Sequence, residues 1–253
     1  MSGSMRLRQE KASRLFLTNS IISEAWCYMD INSIKSLIAS SPPASVFISG
    51  VKTNTVGQSV SFQLLHGWDI SLAHKCDTEW TAKNIEILHC VQSSTTSEAE
   101  LIQKISDLHM EDAHWRWTAK AIHHSTEEYD WFFYLAEDAI QAACLIYHPK
   151  DSIIDGQGIF YIEYVAVAPW NRPNPLSTAR FKGVGSDLIK YASKYATETL
   201  GLRPGFSLHS LPKAAAYYNK IGMTCFPERK KESLDYYEMA KEAAQAFGAV
   251  ANG

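Results

Sequence analysis

The stretch RFKGVGSDLIKYASKY, Arg180 to Tyr195, decides the fold. Two glycines, Gly183 and Gly185, stand on a basic flank just ahead of apolar positions 188, 189, 192, 195, 196 and 199/200, which recur at helical spacing until Gly201 closes the run. The first amides of such a helix have no intrahelical acceptor, and with the helix dipole they suit an anion such as phosphate. Glycines there let a ligand approach without a Cβ in the way. A plain strand-to-helix turn would look similar over so short a window, so the flanking segments have to discriminate.

Upstream, GIFYIEYVAVAP (158–169) is the most apolar strand in the chain and reads as the centre of a sheet. Before it, DWFFYLAED and AIQAACLIYHP flank a tight acidic turn and form a hairpin. Downstream, GFSLHSL (205–211) is a strand, Pro212 to Ile221 a helix closed by Gly222, and DYYEMA (235–240) a last strand. Earlier in the chain, AKNIEILHCVQ (82–92) reads as a strand, and Glu98 to about His124 as a long helical stretch with the Ser97/Glu100 spacing of a capping box. SVFISGV and SVSFQLLHGWDI are strands of open role, and Gln9 to Ile38 carries apolar residues at helical spacing that SSPPAS ends.

Two familiar phosphate loops do not fit. A Walker loop needs a lysine after its last glycine, where Ser186 follows Gly185; a dinucleotide fingerprint needs a third glycine, where position 188 is Leu. Arg180, Gly183 and Gly185 are instead similar to the Arg/Gln-x-x-Gly-x-Gly/Ala pyrophosphate loop of the GCN5-related N-acetyltransferases (GNAT superfamily). PKAAAYYNKIGM resembles that family's tyrosine-bearing helix, and VAVAP (165–169) its fourth-strand end. The resemblance covers about 80–240.

It implies an α/β (α+β) fold: a mixed, mostly antiparallel sheet flanked by helices and splayed between its fourth and fifth strands. Residues 1–79 would be an N-terminal helical and β extension of unknown role, and 80–247 the acetyltransferase domain. The implied activity is transfer of an acetyl group from acetyl-CoA to a primary amine by direct attack in a ternary complex. Backbone groups of Val165 and Val167 would hold the pantetheine and polarise the thioester. Arg180 and the amides of Phe181, Lys182, Gly183, Val184, Gly185 and Ser186 would hold the pyrophosphate, with Lys182 and Arg172 candidates for the 3′-phosphate. Tyr218, four residues before Gly222, is the candidate general acid and Tyr217 its rival; a phenol stays protonated at neutral pH.

Glu163 is the candidate base, because a carboxylate in an otherwise apolar strand calls for an explanation. His209 is the alternative base, or else a structural strand-end histidine. The chain departs from the family in the long loop WNRPNPLSTARFK (170–182), a candidate wall of the acceptor site, and in Leu211, where an asparagine is usual.

The net charge of −3 gives no basic footprint for nucleic acid. No stretch is long and apolar enough to span a bilayer, and five scattered cysteines without a CxxC pair support neither a disulfide framework nor a zinc knuckle, so the expected setting is cytoplasmic. His109 and His114 lie five apart, about 140° around a helix, which does not put two metal ligands on one face. GFSLHS has His209 where a nucleophile elbow needs glycine. The acceptor, be it a small amine, a peptide or an aminoacyl group, is not legible, and a homodimer stays open. The other function class is a non-catalytic acyl-CoA sensor or interaction module with the same fold.

Overall fold

The structure is a computed structural model that describes residues 42–249 and, before them, residues 32, 35, 36 and 39. Apart from positions 32, 35 and 36, which are helical, the segment expected as a helix over Gln9–Ile38 lies outside the described residues. Strands β1 (Ser45–Thr53) and β2 (Ser59–His66) are followed by helices α1 (Ile70–Ser93), α2 (Glu98–Asp107) and α3 (Trp117–His123). Then come β3 (Tyr129–Ala136), β4 (Ala139–Asp151), β5 (Gly158–Val167), α4 (Val184–Glu198), β6 (Phe206–Ser210), α5 (Ala215–Lys220), β7 (Thr224–Lys231), β8 (Leu234–Glu238) and α6 (Lys241–Ala249).

The eight strands of the described residues join one sheet in the order β1-β2-β3-β4-β5-β6-β8-β7, in which β5 and β6 run parallel and the other neighbours antiparallel. The mixed, mostly antiparallel sheet flanked by helices is thus the expected class. Buried strands read as continuous apolar runs because both faces are covered. On β3, Phe132 and Tyr134 pack with Leu188, Ile189, Ala192 and Ala196 of α4, while Trp131 and Phe133 pack with Ile70, Ala73, Cys76 and Trp80 of α1 and Trp117 of α3. The β3–β4 turn places Glu137 (φ 51°) and Asp138 (φ 55°) in the left-handed region, the pair of conformations a two-residue hairpin turn needs.

Three sequence expectations are corrected. Residues 82–92 are helical, the second half of α1: Ile87 and Val91 are buried one turn apart while Ile85, which gave the window its strand-like alternation, is exposed. The long helix over Glu98–His124 is two helices, α2 and α3, with a turn at 108–116. Ser97 does cap α2, its hydroxyl accepting from Glu100 N, but the Glu100 carboxylate pairs with Lys104 rather than closing the box. Finally, β7 forms where no strand was expected. Helix α1 runs through positions 79 and 80, and β2 pairs with β3 from Phe62↔Ala136 to His66↔Phe132.

α3 is short and its own N-cap, Arg116, makes no side-chain cap bond. Asp77 of α1 caps it across space instead, accepting from Trp117 N (2.6 Å) and Thr118 N (2.9 Å). This holds α3 to α1, and Lys120 of α3 lies over the Tyr164 ring of β5.

Candidate active site

Pairing between β5 and β6 covers Phe160↔Phe206, Tyr161↔Ser207 and Ile162↔Leu208 and stops there, although β5 runs on to Val167 and β6 to Ser210. The strands fork. The cause lies at the next residue: β4 pairs Ile146 with Ile162 and Leu145 with Tyr164, so Glu163 has no counterpart and forms a β-bulge. A bulge bends its strand and strengthens the local twist, which carries β5 away from β6. Glu163 therefore stands in the crotch of the fork.

Past the bulge, main-chain groups alternate between the two sides of the strand. Ala168 N donates to Gln141 O at the start of β4 (2.9 Å), so Ala166 faces β4 and the main chain of Val165 and Val167 faces the opening. Val167 O is engaged there by Arg172, through Nε (2.9 Å) and Nη2 (2.5 Å). The same guanidinium makes a two-pronged ion pair with Asp112 and donates to His109 O (2.7 Å), so Arg172 is tied into the protein rather than presented to a phosphate.

The glycine loop sits at the mouth of the fork. Gly183 is the N-cap of α4 at φ 75°, ψ 3°, and a Cβ there would meet open space, so its requirement is conformational. Gly185 is different: a Cβ would lie 3.0 Å from Val167 Cγ1. Its requirement is close approach of the helix to the end of β5. Asp187 N closes the first turn onto Gly183 O (2.9 Å), while the amides of Val184, Gly185 and Ser186 precede any intrahelical acceptor. Phe181 is buried and its amide donates to Asn171 Oδ1 (3.0 Å), which leaves it as an anchor of the loop. Lys182 is exposed, and so is Arg180, whose guanidinium stacks 5.2 Å over the Trp170 ring.

The long loop 172–179 is an excursion whose ends are pinned together. Arg180 N donates to Trp170 O (3.1 Å), and Trp170 Nε1 and Asn171 Nδ2 both donate to Oε1 of the fully buried Gln141 (2.8 and 2.9 Å).

On α5 the two tyrosines diverge. Tyr217 OH donates to Ser186 Oγ (2.8 Å), linking α5 to the glycine loop across the mouth of the fork. Tyr218 is buried in the core on the α4 side of the sheet, where burial first, then the neighbouring Tyr217 and Cys144, hold its phenol far above the ordinary value and therefore protonated. Cys144 is the β4 partner of Val165.

Burial raises the Glu163 carboxyl above its ordinary value, and Lys231, Lys120 and Lys150 draw it partly back. Lys120, 7% exposed, was not singled out by sequence; burial brings its ammonium down to about 7 against the opposing pull of Asp77 and Glu163. Spacing could not have found it, because Lys120 meets β5 only through the fold. His209, the alternative base, is engaged at both nitrogens. Nε2 faces Arg229 O (3.0 Å), which can only accept, so Nε2 carries the proton and Nδ1 accepts from Tyr161 OH (2.6 Å).

No family model and no curated protein matches the chain. Solved structures similar to it include the GNAT domain of S. lividans PAT, 10% identical over 76% of this chain and 96% of that one, TM-score 0.45. The PaiA N-acetyltransferase of Thermoplasma acidophilum in complex with coenzyme A is 12% identical over 69% and 97%, TM-score 0.40. An acyl-CoA N-acyltransferase from Pseudomonas aeruginosa is 17% identical over 58% and 94%, TM-score 0.39.

Proposed function

We propose that the protein is an acyl-CoA-dependent N-acyltransferase of GNAT type that moves an acetyl group from acetyl-CoA to a primary amine within a ternary complex. One observation carries the reading: β5 and β6 part immediately after Ile162↔Leu208, and the glycine loop is seated at that opening by the contact of Gly185 with Val167. The residues present fit a coenzyme A thioester. A left-handed glycine with open space above it leads into a helix start for the diphosphate, and strand main chain facing the opening suits the amides of a pantetheine arm.

The cosubstrate supplies an activated acetyl carbon and a thiolate leaving group. Arg180, stacked on Trp170, and the amides of Lys182, Gly183, Val184, Gly185 and Ser186 hold the diphosphate, with Phe181 anchoring them from beneath. The free main chain of Val165, and the N–H of Val167, orient the pantetheine. Glu163 takes the proton that the attacking amine loses as the nitrogen–carbon bond forms; burial raises its affinity for a proton, which favours that role. Tyr218, held as a phenol by burial, gives its proton to sulfur as the carbon–sulfur bond breaks.

The test uses the purified full chain with acetyl-CoA and a panel of small amines, peptides and aminoacyl compounds, read by free-thiol release and product mass. Thiol release with an acetylated product supports the reading. Coenzyme A binding without turnover on any amine would move it to a sensor of the same fold, and absence of coenzyme A binding would end it.

A further inference from the structure

We propose that the β1–β2 hairpin is a brace for the glycine loop, with Thr55 and Lys52 as positioning residues for the cosubstrate's diphosphate. The half of this concerning diphosphate rests on the function proposed above; the half concerning the loop does not.

The hairpin is stiff up to its tip. Asn54 N donates to Gln58 O (2.9 Å) and Gly57 N to Asn54 O (3.1 Å), while Asn54 Oδ1 accepts from Val56 N (3.1 Å) and Gln58 N (2.9 Å). Gly57 at φ 86° completes the turn. Thr55 is thereby presented on a rigid support, and it reaches the loop: its N–H donates to Arg180 O (2.9 Å) and its hydroxyl to Ala179 O. Arg180 is then gripped on both sides, N–H by Trp170 and carbonyl by Thr55. Amides that must meet phosphate oxygens in a fixed array bind better when they are ordered beforehand.

Lys52 acts electrostatically. Its ammonium lies 2.7 Å from Asp187 Oδ2, both side chains being largely covered. Asp187 is in the first turn of α4, where a bare carboxylate would repel an anion bound at the same helix start. Lys52 cancels that charge.

Thr55→Val, Lys52→Met and the double variant Lys52→Met/Asp187→Asn test this in the full chain. Amide hydrogen exchange without ligand should quicken by about 5-fold at Arg180, Phe181 and Asp187 in Thr55→Val, the scale of one lost hydrogen bond, with β3 and β4 unchanged. Calorimetry with coenzyme A should show affinity lowered by about 5-fold in Lys52→Met and regained in the double variant, and the KM for acetyl-CoA should rise while kcat and the amine KM hold. Unchanged loop exchange in Thr55→Val would overturn the brace. An unaltered coenzyme A affinity in Lys52→Met would overturn the electrostatic role. If the wild-type chain does not bind coenzyme A, the function reading falls and exchange alone decides the brace; if Thr55→Val does not fold, the same exchange comparison in Thr55→Ala decides it.

Discussion

Lys120 Nζ lies 3.2 Å from the centroid of the Tyr164 ring, and Trp115 stands 5.2 Å away on another side. Loss of water outweighs the pull of Asp77 and Glu163, so the ammonium titrates near 7 in the fold against the ordinary lysine value in the unfolded chain. Between those two values the unfolded chain binds more protons than the native one, and stability rises with pH across the window. Lys120→Met should therefore be more stable than the wild type at pH 7, with the difference shrinking by a few kcal/mol towards pH 10. Urea unfolding of both proteins at several pH values measures it; a constant difference would refute the buried-ammonium account.

Glu163 must be ionised to accept a proton, and burial has raised its carboxyl. The rate should thus rise with pH along an acid limb displaced above the ordinary glutamate range. Glu163→Gln should lower kcat by about 10²–10⁴-fold and remove that limb. Lys231→Met withdraws a cation that favours the carboxylate, so the limb should move to higher pH. A pH–rate profile of the three proteins is the measurement, and a limb unmoved by Lys231→Met would count against Glu163.

The two glycines of the loop should fail differently. Gly183→Ala meets no atom but forces alanine to φ 75°, at a cost of about 1 kcal/mol whatever lies nearby. Gly185→Ala sets a methyl 3.0 Å from Val167 Cγ1, so Val167 or the helix start must give by a few tenths of an ångström and coenzyme A binding should weaken. Placing each change in a Val167→Ala background separates them: affinity should recover for Gly185→Ala, and the stability loss should persist for Gly183→Ala. Denaturant melts and calorimetry read both.

Much of this site was legible in one dimension because it is local. Glycines at 183 and 185 opening an amphipathic run, and a carboxylate at 163 within an apolar strand, are signals that chain neighbours alone create. The helical half of α1 was misread because Ile85 and Ile87 alternate like a strand, and exposure of Ile85 depends on what α1 packs against. β7 was missed because TCFPERKK carries a proline and a run of charge, which suit an edge strand and obscure it. Lys120 and the Thr55–Arg180 contact could not be read at all, since each joins segments far apart in sequence.

Tyr217 and Tyr218 are adjacent in sequence and opposed in setting, which makes them a matched pair for dividing binding from chemistry. Tyr217 OH holds Ser186 Oγ, so Tyr217→Phe loosens the glycine loop and should raise the KM for acetyl-CoA by about 5-fold, the scale of one hydrogen bond, with kcat near the wild-type value. Tyr218 is the buried phenol assigned to protonate the departing sulfur, so Tyr218→Phe should lower kcat by about 10²-fold or more with little change in coenzyme A affinity. Because sulfur leaves more easily when it needs no proton, a thioester whose thiol is more acidic than that of coenzyme A should lose less rate in Tyr218→Phe than acetyl-CoA does. Steady-state kinetics on both variants with both thioesters gives four rate ratios. If Tyr217→Phe, rather than Tyr218→Phe, carries the loss in kcat, the acid is Tyr217 and the proton reaches sulfur from the loop side of the fork.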